Sequence, residues 1–289
     1  MSNRVRTYQD LIWDQDGSVV TLKLNRPEQM NALTPSLENE FHSALKDAEV
    51  DETVRAIIVT GVGKAFCSGY DLGEDEDAMN GRASDSLRHW WNIDLSSPER
   101  HFALMKLAKP VIAAVNGWCL GGGMWYALAA DITIASESAT FGQPEVREIQ
   151  NSTFLLAALA GWKVAHRYAL TGDHFDASEA YRIGIVNDVV PDDELLAAAL
   201  RVARRIALLP PDTVRLNKAI TTYGLEAMGL HNAMTTASLI SIIAHSSVDA
   251  SDLDELHRIR AEEGLRASLI HRDAPFIPEP GGPRSKPRS

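Results

Sequence analysis

An α/β fold is the class this sequence predicts, on three observations. Two apolar runs, Val54-Arg-Ala-Ile-Ile-Val-Thr60 and Pro110-Val-Ile-Ala-Ala-Val-Asn116, read as strands buried on both faces, the pattern of a parallel sheet. Each runs into a glycine-punctuated loop, Gly63-Lys-Ala-Phe-Cys-Ser-Gly69-Tyr-Asp-Leu72 and Leu120-Gly-Gly-Gly123. The second loop opens the helix-favouring segment Met124-Trp-Tyr-Ala-Leu-Ala-Ala130. Parallel-strand ends are where α/β folds place ligands, so the two loops are expected to face one another across a pocket. Glycines admit a ligand close to the backbone, and a helix start points N–H groups outward, which suits a negatively charged oxygen. Taken alone, three glycines are more simply read as close packing of helix on sheet.

In chain order, residues 11–24 form two short strands joined by an Asp16-Gly17 turn, and Asn25-Arg26-Pro27 ends them. Thr34-Pro35-Ser-Leu-Glu38 is a helix start, with Thr34 as N-cap, Pro35 at the first position and an acidic first turn. Leu37, Phe41, Ala44, Leu45 and Ala48 share its apolar face. Residues 73–100, acidic and then rich in Ser, Asn and Trp, lack clean periodicity and read as a partly mobile cover over the pocket. Residues 98–108 are expected to be helical and to feed the strand at Val111. Asp131-Ile-Thr-Ile-Ala135 is a further strand, and Thr140-Phe-Gly-Gln-Pro-Glu145-Val146 a turn ending in a carboxylate. Asp176-Ala-Ser-Glu179 is a capping box for a helix closed by Gly184, with residues 185–190 as the next strand. Beyond Pro191 the pattern is helical, including 194–208 and 228–244, until a Pro-, Gly-, Arg- and Ser-rich end that reads as a flexible tail.

A net charge of −11 argues against nucleic acid or an anionic membrane as a partner, and a phosphorylated ligand would need a local basic patch. Cys67 and Cys119 match no zinc or disulfide spacing; no metal is expected, and both thiols read as small buried groups of a cytoplasmic protein. The polar N-terminus has no apolar stretch of the secretory kind. The longest apolar region, 107–130, is interrupted by Lys109, Pro110 and Asn116 and reads as core, not as a membrane span.

These segments together resemble the crotonase superfamily, the enoyl-CoA hydratase/isomerase family. The resemblance is carried, in order, by Leu24-Asn-Arg-Pro27 with Asn31-Ala-Leu33, Ala65-Phe-Cys-Ser-Gly-Tyr-Asp-Leu72, Lys109-Pro-Val-Ile-Ala-Ala-Val-Asn-Gly117 running into Gly121-Gly-Gly123, Asp131-Ile-Thr-Ile-Ala135, Phe141-Gly-Gln-Pro-Glu145, and Leu170-Thr-Gly172 with Gly184-Ile-Val-Asn-Asp-Val-Val-Pro191. It implies a ClpP/crotonase-like spiral of ββα units over residues 1–195 and a helical C-terminal trimerisation region over 196–271, which leaves 272–289 as the tail that the composition reads as flexible. It also implies a homotrimer or hexamer and an acyl-CoA substrate, with coenzyme A part of the substrate and no separate cofactor. The thioester oxygen is then held by the backbone N–H groups of Tyr70 and Gly122. The physics of an oxyanion hole agrees, since enolate chemistry puts negative charge on that oxygen. Family precedent places the adenine and pantetheine near residues 26–32 and 64–68, with Arg26, Ala32, Lys64, Ala65, Ser68, Asp71 and Leu72 around them. For Arg26 and Lys64 the competing reading is a solvated surface cation, and for Lys218, a further candidate for a CoA phosphate, an exposed helix lysine. Asp71 reads as a cap after the oxyanion loop, and Asp131 as a partner of backbone groups beneath the glycine turn.

Hydratases of the family use two glutamates. The second matches Glu145; the first position is occupied by Trp125, and this departure bears on the reaction. One carboxylate suffices to shift a double bond, taking a proton from one carbon and returning it to another, so isomerisation or hydration with Glu145 as acid/base is expected, against a plain loop carboxylate. A second departure is Val146-Arg-Glu-Ile-Gln-Asn-Ser-Thr-Phe154, where the family has a Pro-Gly-rich turn that shapes the acyl pocket; with Trp125 filling space nearby, the substrate is not expected to be a plain straight-chain enoyl group. Replacement acid or base groups are Glu148, Tyr126, His89 and His101, with packing or pairing of Glu148 to Arg147 or Arg182 as the competing readings. The alternatives are other chemistry of the same family (thioester hydrolysis, decarboxylation, carbon–carbon cleavage) and an acyl-CoA-binding protein that has lost catalysis through Trp125.

Overall fold

A computed structural model describes residues 4–72, 86–95, 97–148, 153–247 and 250–280. β2 (Leu11–Asp16) and β3 (Val19–Leu24) form the expected hairpin, with Gly17 at φ +59° in its turn. β1 (Arg4–Thr7), concealed in a polar stretch, pairs antiparallel with β2. The helix Pro35–Val50 begins as its sequence predicts: Thr34 Oγ1 accepts from the Leu37 N–H at 3.1 Å, and the five apolar-face residues are all buried.

β4 (Ala56–Gly61), β6 (Val111–Val115) and β8 (Ile132–Ser136) lie side by side and parallel in a seven-stranded sheet of order β1-β2-β3-β4-β6-β8-β11, closed by β11 (Asp188–Val190). The strand that follows each of them, β5 (Ala65–Cys67), β7 (Trp118–Leu120) and β9 (Thr140–Gly142), enters a second sheet of order β10-β9-β7-β5, where β10 is Phe175–Asp176. Successive strand pairs therefore step through both sheets in the same order, which is the expected spiral. Both faces of the large sheet are covered. Ile58 stands opposite Ile112, and Ile112 opposite Ile132, and this row packs with Leu195, Ala198, Ala199 and Ala203 of the helix Leu195–Ala207. The alternate residues Ile57, Val59, Val111, Ala113 and Val115 face the main core. Burial of each large aliphatic side chain contributes about 1.5–3 kcal/mol, so β4 and β6, buried on both faces, anchor the loops that leave their ends.

Several expectations are corrected. Residues 140–142 are a strand, not part of a turn, because Phe141 is buried against Phe175 in the small sheet. The strand expected at 185–190 is confined to β11, since the Ile185 and Val186 N–H groups close the preceding helix on the Ala180 carbonyl. Of the expected cover, residues 73–85 and 96 lie outside the described residues, whereas Ser86–Asp94 is a helix; its Trp90 stacks on His245 at 3.9 Å. The expected tail from 272 is packed as far as Pro280: Asp273 and Glu279 are buried, and residues 281–289 lie outside the described residues. Among the described residues no single helix is long and apolar enough to cross a membrane.

Candidate active site

The two glycine loops meet. Leu33 bridges Tyr70 in parallel fashion, its N–H donating to the Gly69 carbonyl and its carbonyl accepting from the Asp71 N–H, both at 2.8 Å. Successive N–H groups of an extended chain alternate in direction, so the Tyr70 N–H is directed away from Leu33. On that side lies the other loop: a Cβ on Gly69 would stand 3.3 Å from the Leu120 carbonyl oxygen and 3.7 Å from the Gly122 nitrogen. Gly122 opens the helix Gly122–Ala129, whose first N–H groups have no intrahelical acceptor.

The three glycines answer to three different neighbours. Gly121 has φ +49° and ψ −125°, a conformation disfavoured for any side chain, and a Cβ there would collide with Glu145 Oε1. A Cβ on Gly122 would lie 2.7 Å from the Tyr70 ring, and one on Gly123 2.6 Å from Cys67 Cβ. Packing thus accounts for Gly123, while Gly121 and Gly122 keep their faces clear for Glu145 and Tyr70.

Glu145 sits on the short helical turn Pro144–Arg147 that follows β9. The residue is half-buried, and burial of its carboxyl, with Glu148 nearby, pushes its pKa up to about 7 against the opposing pull of its own backbone N–H and of Arg272. The turn is held from behind. Arg147, whose side chain is only 1% exposed, pairs with Asp173, Asp273 and Glu279 and lies over the Phe276 ring at 4.2 Å. Glu148 pairs with Arg272 at 3.5 Å, not with Arg147 or with Arg182, which is paired with Glu179. The reason is that the packed C-terminal segment brings its own arginine to the turn. Residues 149–152, where the sequence departs from the Pro-Gly turn, lie outside the described residues.

Trp125 is flanked edge-on by Tyr70 at 6.4 Å and His101 at 5.9 Å, and its buried indole N–H has no partner among the described residues. His101 is 2% exposed and packs on Tyr126 as well; the side chain of His89 lies outside the described residues. Beneath these rings is a group the sequence reading missed. Glu38, 4% exposed, accepts from the Tyr126 hydroxyl at 2.8 Å and pairs with Arg100, with the Tyr70 side chain nearby. Burial raises its pKa, against the pull of Arg100, Tyr126 and Tyr70. In the sequence Glu38 stands out only as part of an acidic first turn, although a carboxylate between Leu37 and Phe41 on an apolar helix face is a signal for a buried, partnered acid.

The residues expected around coenzyme A divide by what already holds them. Arg26 donates to the Ala32 carbonyl at 2.7 Å and to Asp71 at 2.9 Å, so it clamps its loop to the Tyr70 strand and is neither a solvated cation nor poised outward. Asp71 is its ion partner. Asn31, at φ +56° and fully buried, donates to the carbonyls of Val62 and Ala65 and ties the same two loops. Lys64 is exposed, Ser68 and Leu72 are half-buried, and Ala32 and Ala65 are buried. Lys218 is committed to Asp131 at 2.6 Å, and Asp131 also accepts from a backbone group, the Val111 N–H, which lies at the start of β6 and not beneath the glycine turn. Both thiols are buried, and burial pushes Cys67 up to about 12.

The family model described as enoyl-CoA hydratase/isomerase matches residues 14–249, which include both loops and Glu145. The chain belongs to the enoyl-CoA hydratase/isomerase family. It is 36% identical over 224 residues to the short-chain-enoyl-CoA hydratase of Clostridium acetobutylicum, covering 75% of this chain and 82% of that protein. It is 33% identical over 278 residues to the crotonyl-CoA hydratase of Syntrophomonas wolfei, covering 93% and 98%. A crystal structure of an enoyl-CoA hydratase/isomerase from Xanthobacter autotrophicus Py2 superposes with a TM-score of 0.86 at 36% identity, covering 93% of this chain and 99% of that one. Membership in the enoyl-CoA hydratase/isomerase family makes the chain an enzyme of that family, and the spiral is the crotonase fold.

Proposed function

We propose that this enzyme acts on an acyl-CoA thioester through an enolate whose oxygen is held by the N–H groups of Tyr70 and Gly122, with Glu145 moving a proton at the α carbon in double-bond isomerisation or hydration. The observation that carries this is the Glu145 carboxyl lying against Gly121, one residue from the proposed donor, with a pKa of about 7. A carboxyl so tuned is half ionised at neutral pH and serves as base and acid in turn. The relatives named as hydratases of short enoyl thioesters support an enoyl substrate. Coenzyme A belongs to the substrate, no other cofactor is required, and exposed Lys64 beside the β5 loop is the cation proposed for its phosphates.

The acidic charge and the reduced, buried thiols support a cytoplasmic enzyme. The helix Pro211–Ala227 exposes Leu216, Ile220 and Tyr223 at 62%, 71% and 62% along one face, which supports assembly of the helical region after residue 195 into a homotrimer or hexamer. Trp125, in place of a second carboxylate, supports the second reading, in which the same oxyanion hole serves thioester hydrolysis, decarboxylation or carbon–carbon cleavage, or only binding.

The test is to follow crotonyl-CoA and a 3-enoyl-CoA by absorbance of the conjugated thioester and by release of thiol. A gain of conjugation from the 3-enoyl substrate identifies an isomerase, its loss from crotonyl-CoA a hydratase, and free thiol a hydrolase. Full activity in Glu145→Gln would remove Glu145 from the mechanism, and failure of any CoA thioester to bind would remove the proposal.

A further inference from the structure

Hydration of an enoyl thioester moves two protons at two carbons: one leaves the water that attacks the β carbon, and one arrives at the α carbon. Glu145 accounts for the second on the reading proposed above, on which this inference rests. The position of a second carboxylate is filled by Trp125, so the water's proton needs another acceptor. The surroundings of Gly122 provide one. Glu145 lies against Gly121, while the Tyr70 ring lies against Gly122, so the two side chains flank the same turn. Tyr70 is 37% exposed, and its side chain reaches inward toward Glu38, which is almost wholly buried. Glu38 is in turn held by Arg100 and by the Tyr126 hydroxyl at 2.8 Å, and Tyr126 by His42 Nε2 at 3.0 Å.

We propose that Tyr70, besides its backbone, contributes its hydroxyl as the second acid/base group, with Glu38 as the proton acceptor behind it. As the water oxygen bonds to the β carbon, its proton passes to Tyr70 Oη while the Tyr70 hydroxyl proton passes to Glu38. The electron pair of the carbon–carbon double bond moves into the enolate, and the α carbon takes a proton from the protonated Glu145. The proton on Glu38 returns through Tyr70 to solvent and Glu145 is reprotonated from solvent, so the net change is addition of one water. Arg100 balances the Glu38 charge, and Tyr126, with neutral His42 behind it, fixes the carboxylate that Tyr70 faces.

Tyr70→Phe separates the two roles of this residue, because it keeps the ring and the N–H and removes only the hydroxyl. Two rates are measured for wild type, Tyr70→Phe and Glu38→Gln: hydration of crotonyl-CoA, and exchange of the α protons of butyryl-CoA with deuterated water, which needs the oxyanion hole and Glu145 alone. The ratio of hydration to exchange is expected to fall about 100-fold in both variants, the scale of a lost acid/base group, and the limb of the hydration pH profile that belongs to Glu38, set by Arg100, Tyr126, Tyr70 and His42 around it, is expected to vanish in Glu38→Gln. An unchanged ratio in Tyr70→Phe overturns the proposal. An equal fall of both rates marks a packing role and also overturns it. A wild type that exchanges without hydrating overturns the relay and leaves the enolate reading standing, whereas a wild type that does neither overturns both.

Discussion

At the residue scale the site is a set of conflicts settled by position. Glu145 is held where its charged form is disfavoured, and this has a sign. Because its folded pKa, about 7, lies above the ordinary 4.5, its contribution to stability is present below pH 4.5 and is lost as pH rises through 7. Glu145→Gln is therefore expected to melt higher than wild type at pH 8, by up to about 3 kcal/mol, while losing α-proton exchange. In the wild type that exchange is expected to rise with pH through about 7, as the base ionises. Thermal melts of both proteins at pH 5 and pH 8 check the first part; a variant less stable at pH 8 would contradict the burial described for Glu145. Gly121→Ala meets both a positive φ and the Glu145 carboxylate. A cost of about 1–3 kcal/mol and a rate loss of about 100-fold or more, as for a displaced oxyanion donor, are expected in chemical denaturation and exchange assays.

At the element scale the unexpected part is the C-terminal segment. The helix Leu265–Asp273 and the residues after it carry Arg272, Asp273, Phe276 and Glu279 onto the back of the Glu145 turn. Glu279, 0% exposed, accepts from His174 and Arg147; burial opposes its ionisation, and these partners outweigh it and bring its pKa to about 2. With the folded value below the ordinary one, its stabilisation is present above about pH 4.5 and is lost as pH falls toward 2. Removing one partner of a buried ion pair costs about 3–5 kcal/mol. Glu279→Ala is thus expected to expose residues 265–280 to protease at neutral pH, as acid is expected to do in the wild type, and to lower exchange by misplacing Glu145. Equal protease resistance of variant and wild type would contradict the clamp.

At the scale of the whole molecule, the spiral stacks two sheets so that the strand ends bearing both glycine loops come together, and the helices after residue 195 wrap the outside. The apolar stripe of Leu216, Ile220 and Tyr223 remains exposed in one chain. A stable interface buries about 1,200–2,000 Å², which such a stripe can nucleate. Ile220→Asp is expected to reduce the assembled mass in native mass spectrometry; an unchanged trimer or hexamer would place the interface elsewhere.

What the sequence determined by itself is local and periodic: the Thr34 cap, the Asp16-Gly17 turn, the two-faced strands β4 and β6, the glycine loops after them, and Glu145 in its motif, all written in neighbouring residues. Tertiary structure alone decided what distant residues do to one another. It carried Arg272 and Glu279 across more than a hundred positions to the Glu145 turn, turned Arg26 inward to Asp71, and set Glu38 beneath Tyr70. Composition made residues 272–280 look like a tail, because buried charges are stable only when their partners surround them, and those partners lie far off in the chain.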